Sequence, residues 1–182
     1  MSLFEVSVAL ETSDHLHLGR LLVLLGTFAG DRGTGTIDGL TKLAKLDFLL
    51  RYPNYLEKAL VARSASPEAA NVKQYERSSV ESAMVRYRYG PWDFRYRRFV
   101  NMLVGKGLAR IQIEGRTTRI GLTSRGLSLA NLLAENGAFT DTAERSKLLR
   151  RHFDIGATSL ARFIYATFPE ITTLRLGEEI RY

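Results

Sequence analysis

The segment of residues 84–126 reads MVRYRYGPWDFRYRRFVNMLVGKGLARIQIEGRTTRIGLTSRG, and its hydrophobic period changes twice. Residues 84–89 alternate between apolar or aromatic side chains and arginine, which predicts a short strand with one face toward solvent. Gly90-Pro91 interrupts the alternation, and proline suits the first position of a helix. From residue 92 to residue 106 the apolar side chains recur at helical spacing, which predicts a helix with one buried stripe.

A hairpin is predicted at the end of this segment. Residues 108–113 and 117–122 are two short stretches that contain several β-branched side chains. Glu114-Gly115-Arg116 lies between them and supplies a tight turn. The predicted order of elements in residues 84–126 is therefore strand, helix and hairpin.

This order is that of the second half of a winged helix-turn-helix domain, and the sequence is similar to such domains in detail. The similarity rests on three short segments, which are Tyr89-Gly90-Pro91-Trp92, Gly107-Leu108 and Leu122-Thr123-x-x-Gly126. The resemblance implies an α+β fold, mainly helical, with a winged helix-turn-helix core, a small antiparallel β-sheet and a C-terminal helical extension. The helix of residues 92–106 is expected to pack between an apolar helix at residues 15–29 and the hairpin.

The apolar pattern of the rest of the chain indicates three regions. Residues 3–10 alternate loosely between apolar and other side chains, so residues 1–13 are predicted to form an N-terminal strand or arm. Residues 14–136 are predicted to form the winged helix-turn-helix domain, and residues 137–182 a C-terminal helical extension with a docking tail. The glycine-rich residues 30–39 lack the Gly-Lys-Ser/Thr ending of a phosphate-binding loop, so they are interpreted as a connector. Residues 64–79 are polar and rich in small side chains, which predicts a long loop or mobile insertion.

Composition narrows the class of protein. The chain has 182 residues, of which 45% are hydrophobic, as in an ordinary globular domain with an extension. It contains no apolar run of about 20 residues, so no membrane span is expected. It has no cysteine, which excludes disulfides and cysteine zinc sites, and its first residues do not resemble a secretory signal. A cytoplasmic location is expected.

The charge balance favours an acidic partner. The 26 lysines and arginines exceed the 19 aspartates and glutamates, which gives a net charge of +7. Such a balance favours nucleic acid or an acidic protein surface as the partner. In a DNA-binding winged helix, the polar face of the helix before the hairpin enters the major groove. The predicted contacts to double-stranded DNA are Arg97, Arg98, Asn101, Arg116, Arg119 and Arg125. The alternative is that these residues are a solvated surface or contact another protein.

The sequence shows no arrangement of residues typical of catalysis. Its histidines are His15, His17 and His152, and none belongs to a metal-binding or nucleophile motif. We therefore expect no catalytic residues, no metal and no cofactor. Asp47 lies at the edge of the apolar stripe of a predicted helix and needs a partner there. The sequence predicts an ion pair with an arginine from residues 86–98.

A second resemblance covers most of residues 38–181. It rests on residues 39–53 (GLTKLAKLDFLLRYP), on residues 84–92, and on Phe163-Ile164-Tyr165, Phe168-Pro169-Glu170 and Leu176-Gly177-Glu178-Glu179-Ile180. These segments resemble the middle component of bacterial ABC-three-component systems, which include the Lamassu anti-phage and anti-plasmid defence systems. The resemblance implies a non-catalytic accessory subunit. Such a subunit would link an SMC-like ABC ATPase, which senses DNA, to an effector such as a nuclease.

The C-terminal tail is the predicted docking surface for an unlike subunit. Its partner-binding candidates are Phe163, Tyr165, Phe168, Ile171, Leu174, Leu176 and Ile180. An exposed apolar patch of this size usually marks an interface. The alternative is that these side chains cover the chain's own helices. A different function also remains open, that of a free winged-helix transcription regulator acting as a homodimer.

Overall fold

The computed structural model describes residues 14–77, 83–88 and 90–181, so the predicted arm of residues 1–13 lies outside the described residues. The described chain is mainly helical with a small antiparallel sheet, which confirms the α+β class. No helix in these ranges has both the length and the apolar content needed to cross a membrane. The helices are α1 Asp14–Ala29, α2 Gly39–Arg51, α3 Pro53–Ala62, α4 Tyr96–Gly105, α5 Ser124–Glu135, α6 Thr140–Phe153, α7 Ala157–Thr167 and α8 Pro169–Thr173. The strands are β1 Ile37–Asp38, β2 Val85–Tyr87, β3 Gly90–Trp92, β4 Ala109–Glu114 and β5 Thr117–Leu122.

Helix α1 is at the centre of the fold. Most of its side chains are buried, since apolar residues occupy nearly every position from Leu18 to Leu25. It packs mainly against α5 and α6. Two glycines permit this close packing: a Cβ on Gly26 would lie 2.7 Å from the Cβ of Ala130 on α5, and one on Gly19 would lie 2.5 Å from the Phe139 ring. A larger side chain at Gly26 would push α1 and α5 apart, and one at Gly19 would require the Phe139 ring to move.

The antiparallel sheet has the strand order β1-β5-β4. Strands β4 and β5 pair along their full length from Ala109↔Leu122 to Glu114↔Thr117, which confirms the predicted hairpin. Gly115 turns the hairpin with a φ of +60°, a conformation that glycine adopts without steric cost. β1 pairs with the other edge of β5 through Ile37↔Ile120. The small sheet is thus fixed to the chain that leads into α2.

The helix predicted from residue 92 begins later, at Tyr96. Pro91 does not start a helix but lies in β3, where it pairs with Arg86 of β2. The delay has a local cause, because the Asp93 carboxylate accepts a hydrogen bond of 2.9 Å from the backbone N–H of Arg95 and holds a turn there. Trp92 therefore belongs to a second, two-stranded sheet rather than to the apolar stripe of α4.

The predicted long loop is attached to the helices over its described part, residues 64–77. It contains two 3-10 turns, Pro67–Ala70 and Gln74–Arg77. Arg145 of α6 donates to the backbone oxygens of Ala70 and Asn71 and to the Glu76 carboxylate, at 2.7–3.1 Å. The segment is therefore held to α6 by a nearly buried arginine.

Candidate functional site

Helix α4 presents a polar face to solvent. Its buried side consists of Tyr96, Phe99, Val100 and Leu103. Arg97 and Asn101 lie four residues apart on the opposite side, and both are exposed. The buried stripe thus fixes which side of the helix is free to bind a partner.

The hairpin lies beside this face. A cleft of about 250 Å³ separates α4 from β4 and β5. The residues that line it are Leu40, Arg97, Val100, Asn101, Ile111, Thr118 and Ile120. Arg97 and Asn101 therefore share one surface with the hairpin. The cleft also has an apolar floor, which an ordinary solvated helix face does not require.

Two of the other four predicted DNA contacts, Arg98 and Arg119, form ion pairs with carboxylates. Arg98 pairs with Asp14 at 2.7 Å, and Arg119 pairs with Glu114 and, at 3.7 Å, with Asp38. These pairs are at least partly exposed, and such pairs contribute only about 0–1 kcal/mol. Arg98 and Arg119 can therefore release these carboxylates and bind a phosphate instead.

Arg116 and Arg125 do not line the cleft. Arg116 is exposed in the turn of the hairpin, and Arg125 is exposed in the first turn of α5. Thr123 accepts a hydrogen bond of 3.0 Å from the N–H of Gly126 and so caps α5. Arg116 and Arg125 therefore lie at opposite ends of β5.

A buried ionic network lies beneath the inner side of α4. Asp47 of α2 is completely buried and accepts hydrogen bonds from Arg20 Nε at 2.6 Å, Arg51 Nε at 3.0 Å and the Tyr96 hydroxyl at 2.6 Å. Burial alone would raise the pKa of Asp47, but the charges of Arg20 and Arg51 hold that pKa well below its usual range. The carboxylate therefore stays ionised and joins α1, α2 and α4.

The network continues to the turn that precedes α4. Arg51 Nη1 donates to Asp93 at 2.9 Å, and Arg95 Nη2 donates to the same carboxylate at 2.8 Å. Burial acts to raise the pKa of Asp93, but the hydrogen bonds and charges of Arg95 and Arg51 lower it to about 2. These contacts fix where α4 begins, and hence where Arg97 points.

The predicted partner of Asp47 was wrong. Asp47 pairs with Arg20 and Arg51. Among the arginines of residues 86–98, Arg95 pairs with Asp93 and Arg98 pairs with Asp14. The reason is geometric, because Arg51 lies one helical turn after Asp47 on the same helix and Arg20 projects from the neighbouring α1. The missed signal in the sequence is Arg20 itself, a single charge within the apolar run of α1.

Lys45 is a buried cation of a different kind. Its Nζ donates to the backbone oxygen of Pro91 at 3.4 Å and lies 5.8 Å from the centre of the Trp92 ring. No carboxylate within the described parts of the chain forms an ion pair with it. Burial lowers the pKa of Lys45 to about 7. Between that pH and the ordinary lysine pKa, the unfolded chain binds a proton that the folded chain does not.

Replacement of Lys45 by methionine is expected to raise the free energy of unfolding at pH 7 by about 1 kcal/mol or more, because an apolar side chain of similar length needs no partner. Since the folded pKa is lowered, wild-type stability increases as the pH rises from 7 to 10, and the advantage of the variant shrinks over the same range. Urea denaturation at several pH values measures both effects. Lys106→Met, at an exposed lysine, serves as the control and should change little. A destabilised Lys45→Met protein would contradict the expectation.

The predicted docking tail is largely part of the core. Phe168, Ile171 and Ile180 are buried at 0–1% exposure, so they are not available to an unlike subunit. The Tyr52 hydroxyl donates to the backbone oxygen of Ile180 at 2.8 Å, and the Ile180 N–H donates to Met84 O at 2.8 Å. These hydrogen bonds hold the tail against the C-terminal end of α2 and the start of β2.

The other four tail candidates retain some exposure. Phe163, Tyr165 and Leu174 are partly buried against the core, and only Leu176, at 60%, is a large exposed apolar side chain. Much of the tail therefore covers the chain's own helices, which is the alternative that the sequence left open. Residues 137–181 share one hydrophobic core with the preceding helices.

Comparison with protein-family models, with curated proteins and with solved structures finds no match to this chain.

Proposed function

We propose that α1, β1, α2, α4, β4 and β5 form a winged helix-turn-helix, with residues 52–95 inserted between its second and third helices. The order helix, strand, helix, helix, hairpin supports this assignment, as does the pairing of β1 with β5. In this arrangement α4 is the recognition helix and the β4–β5 hairpin is the wing. The outward face of α4 then corresponds to the surface that enters the major groove in DNA-binding members of this class.

The function that this geometry supports best is contact with double-stranded DNA. The observation that carries it is the placement of Arg97 and Asn101 beside the hairpin on one exposed surface. The arginine provides a phosphate contact and the asparagine a side-chain amide, both common at protein–DNA interfaces. The net charge of +7 adds a favourable long-range attraction. Contacts of this type position a protein on DNA and give affinity with little sequence preference.

In the cell, the chain acts in this proposal as a non-catalytic accessory subunit of a DNA-sensing defence complex. It links an SMC-like ABC ATPase to a nuclease-type effector, and its α4 surface contacts DNA near the ATPase. The sequence resemblance over residues 39–53 and 84–92 supports this role. Because much of the tail is buried, its contribution to partner binding is limited to the exposed remainder around Leu176 and to the partly buried Phe163, Tyr165 and Leu174.

Arg97→Glu is expected to weaken binding to a blunt DNA duplex about tenfold or more, equally for unrelated sequences, because it removes one phosphate contact and adds a repulsive charge. Fluorescence anisotropy across about 50 to 200 mM salt measures affinity and its salt dependence. Arg151→Glu, at an exposed arginine of α6, makes the same change in net charge and is the control. If the two variants lose the same affinity, the α4 surface is not the DNA site.

The role in a complex is tested by co-purification with the products of the adjacent genes. Recovery of a complex with an ATPase and an effector would support the accessory-subunit proposal. Recovery of a DNA-binding homodimer alone would favour a free transcription regulator. Removal of residues 169–182 is unsuitable for this test, because it would delete the buried Ile171 and Ile180 and destabilise the fold.

A further inference from the structure

Three aromatic side chains form a cluster at the edge of the proposed DNA surface. The Tyr87 ring stacks on the Trp92 ring with 6.2 Å between centroids and 29° between planes. The Phe94 ring meets Tyr87 edge-on, with centroids 5.4 Å apart. We call Tyr87, Trp92 and Phe94 the aromatic platform. Phe94 precedes Arg97 by three residues, so the platform lies just before the helix that carries the proposed DNA contacts.

The Phe94 and Tyr87 rings of the platform are exposed, whereas most other aromatic side chains near them are buried in the core or partly buried against it. Phe94 is 65% exposed and Tyr87 is 36% exposed. Their positions explain this, because Tyr87 pairs across the two-stranded sheet with Gly90, which has no side chain to cover it, and Phe94 lies in the turn before α4. The rings therefore contribute little to the core, and a role in binding accounts for them better than a role in folding.

The platform is supported from below by ring contacts and hydrogen bonds. Trp92 packs against Tyr96, with ring centroids 5.7 Å apart, and the Tyr96 hydroxyl is bound to Asp47. Tyr165 of α7 donates a hydrogen bond of 3.0 Å to the backbone oxygen of Tyr87. A rigid aromatic surface loses little conformational entropy when a flat ligand stacks on it.

The segment that carries the platform is strongly basic, although Glu178 and Glu179 lie on the tail segment that pairs with β2. Residues 86–98 contain five arginines and a single acidic residue, Asp93. Asp93 is buried and is already bonded to Arg51 and Arg95, so it presents little negative charge at the surface. Arg88, Arg97 and Arg98 are exposed. A ligand that stacks on the rings is therefore favoured if it carries negative charge close to its flat face.

Unpaired nucleotides have this combination of properties. Each base offers an aromatic face, and its phosphate supplies the charge that flanking arginines attract. Within a duplex the base faces are covered by their neighbours, so the platform would find no partner there except at a terminal base pair. We propose that the aromatic platform binds unpaired bases next to a duplex, so that the chain prefers DNA with a single-stranded tail, end or flap. This inference rests on the proposed function, since it assigns the duplex to α4 and the unpaired bases to the platform.

The test compares a blunt duplex, the same duplex with a short single-stranded tail, and the tail strand alone. The tail carries 2-aminopurine, whose fluorescence falls when the base stacks. The full-length protein is expected to bind the tailed duplex about tenfold more tightly than the blunt one and to quench the probe. Phe94→Ala combined with Tyr87→Ala should abolish the gain and the quenching while leaving affinity for the blunt duplex unchanged.

Two further variants sharpen the result. Tyr75→Ala removes another exposed aromatic ring, 68% exposed, outside the platform and should keep the gain. Phe94→Trp preserves an aromatic face and should also keep it. Thermal unfolding followed by circular dichroism verifies that each variant is folded.

The outcomes separate the two proposals. Equal affinity of the wild type for tailed and blunt duplexes, or a gain that survives removal of both rings, would overturn the platform and assign the exposed rings to a protein partner. If the blunt duplex does not bind but the single strand does, and this binding is lost with Phe94 and Tyr87, the platform is supported while duplex recognition by α4 is refuted.

Discussion

Replacement of Asp47 by asparagine is expected to lower the free energy of unfolding by about 3–5 kcal/mol, because it leaves the buried cations Arg20 and Arg51 without their shared anion. Small domains are stable by only about 5–15 kcal/mol, so this single change would remove a large part of the total. The asparagine is close in shape to aspartate. The loss therefore reports the missing charge rather than a cavity. Urea denaturation followed by circular dichroism measures it.

A surface pair provides the control for this prediction. Asp14 pairs with Arg98 at 2.7 Å, but both side chains are partly exposed. Asp14→Asn should cost no more than about 1 kcal/mol, since water solvates the arginine when its partner is removed. Similar losses from Asp47→Asn and Asp14→Asn would show that the buried network contributes no more than an exposed ion pair.

A second large effect is expected in mildly acidic solution, and His17 is its cause. The His17 ring is completely buried, and its Nδ1 accepts a hydrogen bond of 2.8 Å from Arg20, because a guanidinium can only donate. Burial and the nearby charges of Arg20 and Arg51 lower the pKa of His17 to about 3. Between pH 3 and the ordinary histidine pKa of about 6.5, the unfolded chain binds a proton that the folded chain excludes.

The sign of the effect follows from this difference in proton binding. The free energy of unfolding falls as the pH falls through this window, by about 1.4 kcal/mol per pH unit at most. A loss of about 2–3 kcal/mol is expected between pH 7 and pH 4.5, before most carboxylates titrate. Denaturant titrations at a series of pH values measure the slope.

His17→Asn is the variant that isolates this contribution, since its amide oxygen can still accept from Arg20 while nothing titrates. The variant should show a much flatter dependence on pH between 6.5 and 4.5. His15→Asn changes an exposed histidine two residues away and should keep the wild-type slope. A steep slope in His17→Asn would place the acid sensitivity in another group.

Periodic patterns in the sequence predicted the elements that depend on local signals. The buried stripe of α1 and the hairpin β4–β5 follow from the spacing of leucine and isoleucine and from a turn glycine. The start of α4 was missed because it depends on a hydrogen bond between Asp93 and Arg95 that competes with helix formation. Gly90-Pro91 is compatible both with a helix start and with an edge strand, and hydrophobic periodicity does not distinguish them.

The candidate site was predictable in part for a related reason. The stripe of α4 identifies its exposed side, so Arg97 and Asn101 follow from the sequence. The role of the tail does not follow from the sequence, because the same apolar residues serve equally well to cover the chain's own core or to bind another protein. Only tertiary packing decides between these, as Ile171 and Ile180 illustrate. The buried network requires Arg20, Asp47 and Arg51 to meet in space, and their separation along the chain conceals this.

The hydrogen bonds of the Tyr52 hydroxyl imply that the core is completed only late in the synthesis of the chain on the ribosome. It donates to Ile180 O and accepts from the Met84 N–H, so one side chain joins parts of the polypeptide that are up to 128 residues apart. A nascent chain that has not yet extended through Ile180 lacks the segment that completes the core around α2. Helices formed early in translation are therefore expected to pack loosely, with Tyr52 and its aromatic neighbours uncovered. Ribosome-stalled chains in which Ile171 and Ile180 are absent or still inside the exit tunnel should therefore bind chaperones and be degraded rapidly by added protease. Chains extended by a linker long enough to bring Ile180 outside the tunnel should resist the protease.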